Sequence, residues 1–167
     1  MLERFYPDHE AVSAYKIDYE KLYRQGFRGI IFDIDNTLVP HGAPADRQAV
    51  RLFRRLKSIG FDTVLLSNNK EPRVKSFAGQ VRSQYIFKAG KPGKAGYEKA
   101  MQLMGTDAVS TIFIGDQLFT DVWGAKKAGI LTYLVKPIHP KEEIQIVLKR
   151  KLEWIVLYFY HKKYNRS

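Results

Sequence analysis

The chain has 167 residues, 45% hydrophobic and 27% charged, a composition that indicates one folded domain with a real core and excludes a disordered segment. It contains no cysteine, which excludes disulfides and thiolate metal sites and fits a reducing compartment. Lys and Arg number 28 against 17 Asp and Glu, and the resulting net charge of +11 favours nucleic acid, anionic lipid surfaces or phosphorylated substrates as partners.

Taken in order, the first ten residues lack the apolar core of a signal peptide. No later stretch approaches the roughly 20 apolar residues needed to span a bilayer, so a cytoplasmic protein is expected. Residues 1–27 read as a lead-in with one short helix at 19–25, stopped by Gly26. The stretch 28–39 organises the rest. Ile30, Ile31 and Phe32 form a continuous apolar run, a buried strand, and the acids Asp33 and Asp35 close it, with Thr37 just beyond. Carboxylates at the end of an apolar strand are costly to bury unless a cation, a proton or donors meet them, so this spacing asks for a metal.

Residues 46–59 have helical spacing: Ala49, Leu52, Phe53, Leu56 and Ile59 share one face and a row of arginines the other. Gly60 ends that helix. A second strand at 61–66 leads into Ser67, Asn68 and Asn69. A helix at 72–79, a short strand at 85–88 and the turn 89–92 follow, with Pro92 in the first turn of a helix reaching residue 104. A fourth strand at 111–114 meets Gly115 and Asp116. A helix at 121–127, a Gly129 cap and a fifth strand at 130–135 complete the alternation. Strands alternating with helices predict an α/β fold, a doubly wound and mainly parallel sheet with helices on both faces.

The carboxyl ends of these strands carry, in order, Asp33-x-Asp35-x-Thr37, then Ser67-Asn68, then Lys91-Pro92, then Gly115-Asp116-x-x-x-x-Asp121. Four motifs in this order, each after a strand, resemble the haloacid dehalogenase (HAD) superfamily over residues 20–136. The forms Asp-Ile-Asp-Asn-Thr-Leu-Val and Gly-Asp-Gln-Leu-Phe-Thr-Asp look more narrowly like subclass IIIA phosphatases of the YqeG type, a group related to phosphatidylglycerophosphatases.

The resemblance implies an aspartate-nucleophile phosphatase. Asp33 would attack phosphorus and form an aspartyl-phosphate, and Asp35 would act as general acid and base. A solvated turn after a strand is the plain alternative for this pair. Ser67 would donate to a phosphate oxygen, with the N–H groups of Asn68 and Asn69 alongside, although serine and asparagine also cap helices. Lys91 would neutralise the phosphoryl group; Lys88 and Lys94 compete, and most lysines are only surface charge. Asp116 would join Asp33 and the main-chain carbonyl of Asp35 around Mg²⁺, a hard ion suited to oxygen ligands. Asp121 either reaches the metal through water or caps the following helix, and Thr37 braces the nucleophile loop.

Between Thr37 and Ser67 there is room for one helix, and between Asn69 and Lys91 for a helix and a strand, so no cap domain is expected. Residues 137–140 read as a linker and 141–162 as a terminal helix. Ile144, Leu148, Leu152, Ile155 and Phe159 share a face, and the apolar run 154–160 lies between Lys149-Arg150-Lys151 and His161-Lys162-Lys163. Such a helix can lie peripherally on an anionic bilayer, or pack on the core or on a second copy. The organisation expected is therefore a lead-in (1–27), a capless phosphatase core (28–140) and a basic amphipathic helix (141–167). Its substrate is expected to be phosphorylated, with phosphatidylglycerophosphate favoured. The alternatives are phosphorylated nucleic-acid ends or a small metabolite, and a non-catalytic module binding anionic lipid or RNA.

Overall fold

The computed structural model describes residues 1–139 and 144–165. In chain order the elements are β1 (His9–Ala11), α1 (Tyr19–Arg24), β2 (Gly29–Phe32), α2 (Arg47–Ile59), β3 (Asp62–Leu66), α3 (Glu71–Val81), β4 (Gln84–Ile86), α4 (Ala95–Met104), β5 (Thr111–Gly115), α5 (Trp123–Lys127), β6 (Leu131–Val135) and α6 (Ile144–Tyr164). Six strands form one sheet in the order β1-β6-β5-β2-β3-β4, and every pairing is parallel. The α/β, doubly wound reading holds, and among the described residues no cap domain is evident: α2 alone separates β2 from β3.

The all-apolar β2 lies at the middle because both its faces are covered. Ile30 and Phe32 point to one face, where Leu52, Phe53 and Leu56 of α2 and Val74 and Phe77 of α3 meet them. Ile31 points to the other, against Tyr97 of α4, Phe113 and Ala125. The Asp46 carboxylate accepts the Ala49 N–H at 2.8 Å and so starts α2.

Several boundaries differ from those read in the sequence. The lead-in contributes β1 at the sheet edge, where His9 sits opposite Tyr133; three residues, two of them polar, give no alternating signal. The helix expected to have Pro92 in its first turn begins at Ala95, because Gly93 closes a turn onto the Gly90 carbonyl at 2.8 Å. The short strand is Gln84–Ile86, since Lys88 has a left-handed φ of 43°. Before α5, residues Leu118–Val122 form a wide π-helical turn.

The first residues of the expected terminal helix, 141–143, and the linker's Pro140 lie outside the described residues. So does the side chain of Ile144. Within α6 the expected apolar face points outward: Leu148, Leu152, Ile155 and Phe159 are 45–57% exposed. The inward face is Glu153 and Val156, both buried, with Leu157 and Tyr160, packed on Tyr6, Leu118, Val122 and Leu134. Among the described residues no helix is long and apolar enough to cross a membrane.

Candidate active site

From β2 the chain winds outward through β3 and β4, then returns to β5 on β2's other side. Ligands of open α/β sheets bind at such a reversal, beyond the carboxyl ends of the strands. Asp33 follows β2 directly, its N–H donating to the Ile114 carbonyl of β5 at 3.0 Å. Asp116 follows β5, and Ser67 follows β3.

Asp33, Asp116 and Asp121 are all buried, and each offers a carboxylate oxygen within 4.8 Å of the others. Lys91, also buried, donates from Nζ to Asp33 Oδ1 at 2.9 Å and to Asp121 Oδ1 at 2.7 Å. The competing lysines lie outside: Lys88 is exposed, and exposed Lys94 pairs with Glu98. Thr37 Oγ1 lies 3.1 Å from Asp116 Oδ1 and 3.3 Å from Asp33 Oδ2, so one hydroxyl braces both acids.

Asp121 Oδ2 accepts the N–H groups of Asp116 (3.2 Å) and Gln117 (3.1 Å), which folds the loop after β5 back on itself. Asp121 therefore locks the loop before it and does not cap the helix after it. This fold-back explains Gly115, where an added Cβ would lie 2.6 Å from Asp121 Oδ2. Tyr97 Oη donates to the Asp121 carbonyl at 3.0 Å and braces the same loop from α4.

Burial pushes Asp33 up to about 6; the neighbouring Asp116 adds to the rise and Lys91 opposes it. Asp116 and Asp121 are raised for the same first reason, with Asp121 adding to the rise at Asp116 and Asp33 to that at Asp121. Lys91 is pushed down by burial but held charged by Asp121 and Asp33, which outweigh it. Three like-charged acids in so small a buried space fit a hard divalent cation, which would take oxygen ligands alone.

Asp35 stands apart from this cluster. Its Oδ1 accepts the Gly42 N–H at 2.8 Å and Arg73 Nη2 at 2.9 Å. Burial raises Asp35, but those two donors outweigh it and hold the carboxyl below its ordinary value.

At the end of β3, Ser67 Oγ accepts the Asn69 N–H at 3.1 Å, which leaves its own hydroxyl hydrogen to donate. Asn68 grips the Lys91 main chain at both ends: Oδ1 accepts the Lys91 N–H at 2.8 Å and Nδ2 donates to its carbonyl at 3.1 Å. The Asn68 side chain thus positions Lys91, and the Asn69 N–H serves Ser67.

Two arginines to which the sequence reading gave no part in this site border it, and Arg150, read there as one of the basic residues flanking the apolar run, turns inward to Asp116 instead. Arg73, at the start of α3, pairs with Asp35. Arg150 of α6 donates through Nη2 to Asp116 Oδ2 and through Nη1 to the Asp116 carbonyl. Its signal was helical phase: Arg150 shares a face with Glu153 and Leu157, at offsets of three and seven.

The model of a hydrolase family, the haloacid dehalogenase-like hydrolases, matches residues 47–129. A Bacillus subtilis protein described as a probable phosphatase, YqeG, is 35% identical over 159 residues, 94% of this chain and 92% of that protein. An Arabidopsis thaliana phosphatidylglycerophosphate phosphatase is 30% identical over 152 residues, 84% of this chain but 44% of that longer protein. Among solved structures, the cobalt-bound deoxy-D-mannose-octulosonate 8-phosphate phosphatase YrbI of Haemophilus influenzae superposes with a TM-score of 0.55 at 17% identity, over 68% of this chain and 70% of that one. A HAD-superfamily hydrolase of Ehrlichia chaffeensis gives 0.53 at 14% identity, over 77% and 97%. The two structures share the fold, and the B. subtilis relative matches almost from end to end. The chain belongs to the haloacid dehalogenase-like hydrolases, as one of their phosphatases.

Proposed function

We propose that the protein hydrolyses a lipid phosphomonoester, phosphatidylglycerophosphate, through an aspartyl-phosphate on Asp33, with Mg²⁺ as cofactor. The observation that carries the chemistry is Lys91 Nζ bridging Asp33 and Asp121 beside a third buried acid. Asp33, Asp116 and the Asp35 main-chain carbonyl would hold Mg²⁺, with Asp121 acting through water. The bound ion would neutralise charge on the phosphoryl oxygens.

An Asp33 oxygen attacks phosphorus while the bond to the leaving oxygen breaks, and Asp35 protonates that oxygen. In the resting protein Arg73 and Gly42 hold Asp35 ionised. A dianionic phosphoryl group beside it raises its pKa, so that it carries a proton when the ester is bound. Asp35 then takes a proton from water, which attacks the aspartyl-phosphate, releases inorganic phosphate and restores Asp33. Lys91 and the Ser67 hydroxyl bind phosphoryl oxygens throughout.

The lipid part of the reading rests on the relatives' substrate and on α6. Its outward face carries Leu148, Leu152, Ile155 and Phe159 with Trp154 at 68% exposure, interspersed with exposed Lys149, Lys151 and Lys162. Aromatic and apolar groups among lysines suit the headgroup layer of an anionic bilayer, reached peripherally. The test is phosphate release, with Mg²⁺ and with EDTA, from phosphatidylglycerophosphate in vesicles, a soluble phosphomonoester and a 5′-phosphorylated oligonucleotide. Mg²⁺-dependent preference for the vesicles is expected. Preference for the oligonucleotide would move the function to nucleic-acid ends, which the charge of +11 also suits.

A further inference from the structure

We infer that Arg150, on α6, is a positioning residue for the metal site: its guanidinium fork sets the orientation in which Asp116 offers its carboxylate to the cation. The inference rests on the metal reading above and extends it to a residue outside the four motifs.

Two nitrogens of one guanidinium hold two oxygens of one residue, the Asp116 carbonyl and its Oδ2. Fixing main chain and carboxylate of the same aspartate leaves its side chain one rotamer. The other oxygen, Oδ1, then accepts from Thr37, the hydroxyl that also reaches Asp33, so Oδ1 is the atom turned toward the nucleophile. Arg150 is itself held. Its Nη1 donates to Glu153 Oε2 at 3.0 Å, and Glu153 Oε1 accepts the Leu118 N–H at 2.9 Å, within the loop that carries Asp116. The Asp116 side chain is fully buried and that of Arg150 is 19% exposed, so water competes little with the fork.

The charge of Arg150 offsets that of buried Asp116 yet repels an incoming cation, so charge by itself gives no reason for a two-nitrogen fork on one residue. A geometric role accounts for its presence, and lysine, a single point charge without the fork, cannot reproduce it. Partners that orient a metal ligand typically contribute about 10–100-fold to metal affinity.

The experiment is isothermal calorimetry of Mg²⁺ binding to the full chain without substrate, with melting temperatures measured in EDTA. Arg150→Lys keeps the charge and removes the fork, so its expected result is Mg²⁺ binding weakened about tenfold or more, and a higher half-saturating Mg²⁺ for phosphate release. Val156→Ala loosens the same helix while leaving the fork in place. It is expected to lower the melting temperature with Mg²⁺ affinity within twofold of wild type. Wild-type affinity in Arg150→Lys overturns the inference. Equal weakening in Val156→Ala also overturns it, since helix docking would then be the whole effect. If Arg150→Lys does not fold, Glu153→Ala provides the reading: it cuts the tether of the fork and is expected to weaken Mg²⁺ binding more than Val156→Ala does, and equality of the two overturns the inference. Absence of Mg²⁺ binding by the wild-type protein would strike the metal reading itself, a result distinct from any of these.

Discussion

The ends of β2 and β5 and the outward face of α6 handle surface in opposite ways. At the strand ends charge is packed inside, with three buried acids answered by Lys91 and Arg150. On α6 the apolar groups are outside, with Trp154 and Leu152 more than half exposed among lysines. The first arrangement is unfavourable for stability unless a cation completes it, and the second unless a surface covers it. On the proposed reading each region is built for something it would meet, one an ion and a phosphoryl group, the other an interface. Arg150 ties them together.

The sharpest way to break that contrast is inside. Asp33→Asn should lower phosphate release by about a thousandfold or more with circular dichroism unchanged, because an amide is a poor nucleophile. Turnover near wild type would end the aspartyl-phosphate mechanism. Asp116→Ala should then raise the Mg²⁺ requirement sharply, and Asp121→Ala less. The reverse order would exchange their direct and water-mediated roles.

A third test uses protons in place of the ion. Asp33 has its pKa raised by burial from 3.8 to about 6, so between those values the folded protein binds the proton more strongly than the unfolded chain. Its contribution to stability is complete below about pH 4 and is lost as pH rises through about 6. In EDTA, the melting temperature of wild type relative to Asp33→Asn should therefore fall across that window, and saturating Mg²⁺ should flatten the fall. A rise instead would mean that Lys91 dominates over burial.

The smallest effect is expected outside. Lys149, Lys151 and Lys162 changed together to Gln should weaken binding to anionic vesicles by about 1 kcal/mol per residue, in a salt-dependent way. Activity on vesicle substrate should fall severalfold while a soluble phosphomonoester is hydrolysed as before. Equal loss on both would mean that these lysines serve the catalytic site and not a lipid surface.

The inner region was legible in the sequence because its signals are local. An unbroken apolar strand ending in Asp33-x-Asp35, and a Gly-Asp pair after another strand, carry their meaning within a few residues. The outer region was legible only in part. The apolar stripe Leu148-Leu152-Ile155-Phe159 left open whether that face meets a bilayer, the core or a second copy, and in the fold the core takes Glu153 and Val156 instead, where the fork of Arg150 and the Leu118 N–H hold the helix. Partners from other parts of the chain decide such a choice, and periodicity does not contain them. Arg73 was missed for a similar reason: only the fold brings the start of α3 to Asp35.

The edge strand β1 has a consequence for synthesis. Asp8 bonds to Thr132, 124 residues away, so β1 emerges from the ribosome with nothing to pair with. At roughly 5–20 residues per second it waits on the order of ten seconds for β6. A long apolar edge would invite other chains during that wait, whereas His9-Glu10-Ala11 is short and polar and offers them little. When β6 arrives, between β5 and β1, its outer edge is covered as soon as it forms. The least conspicuous strand of the sheet thus protects the last one made.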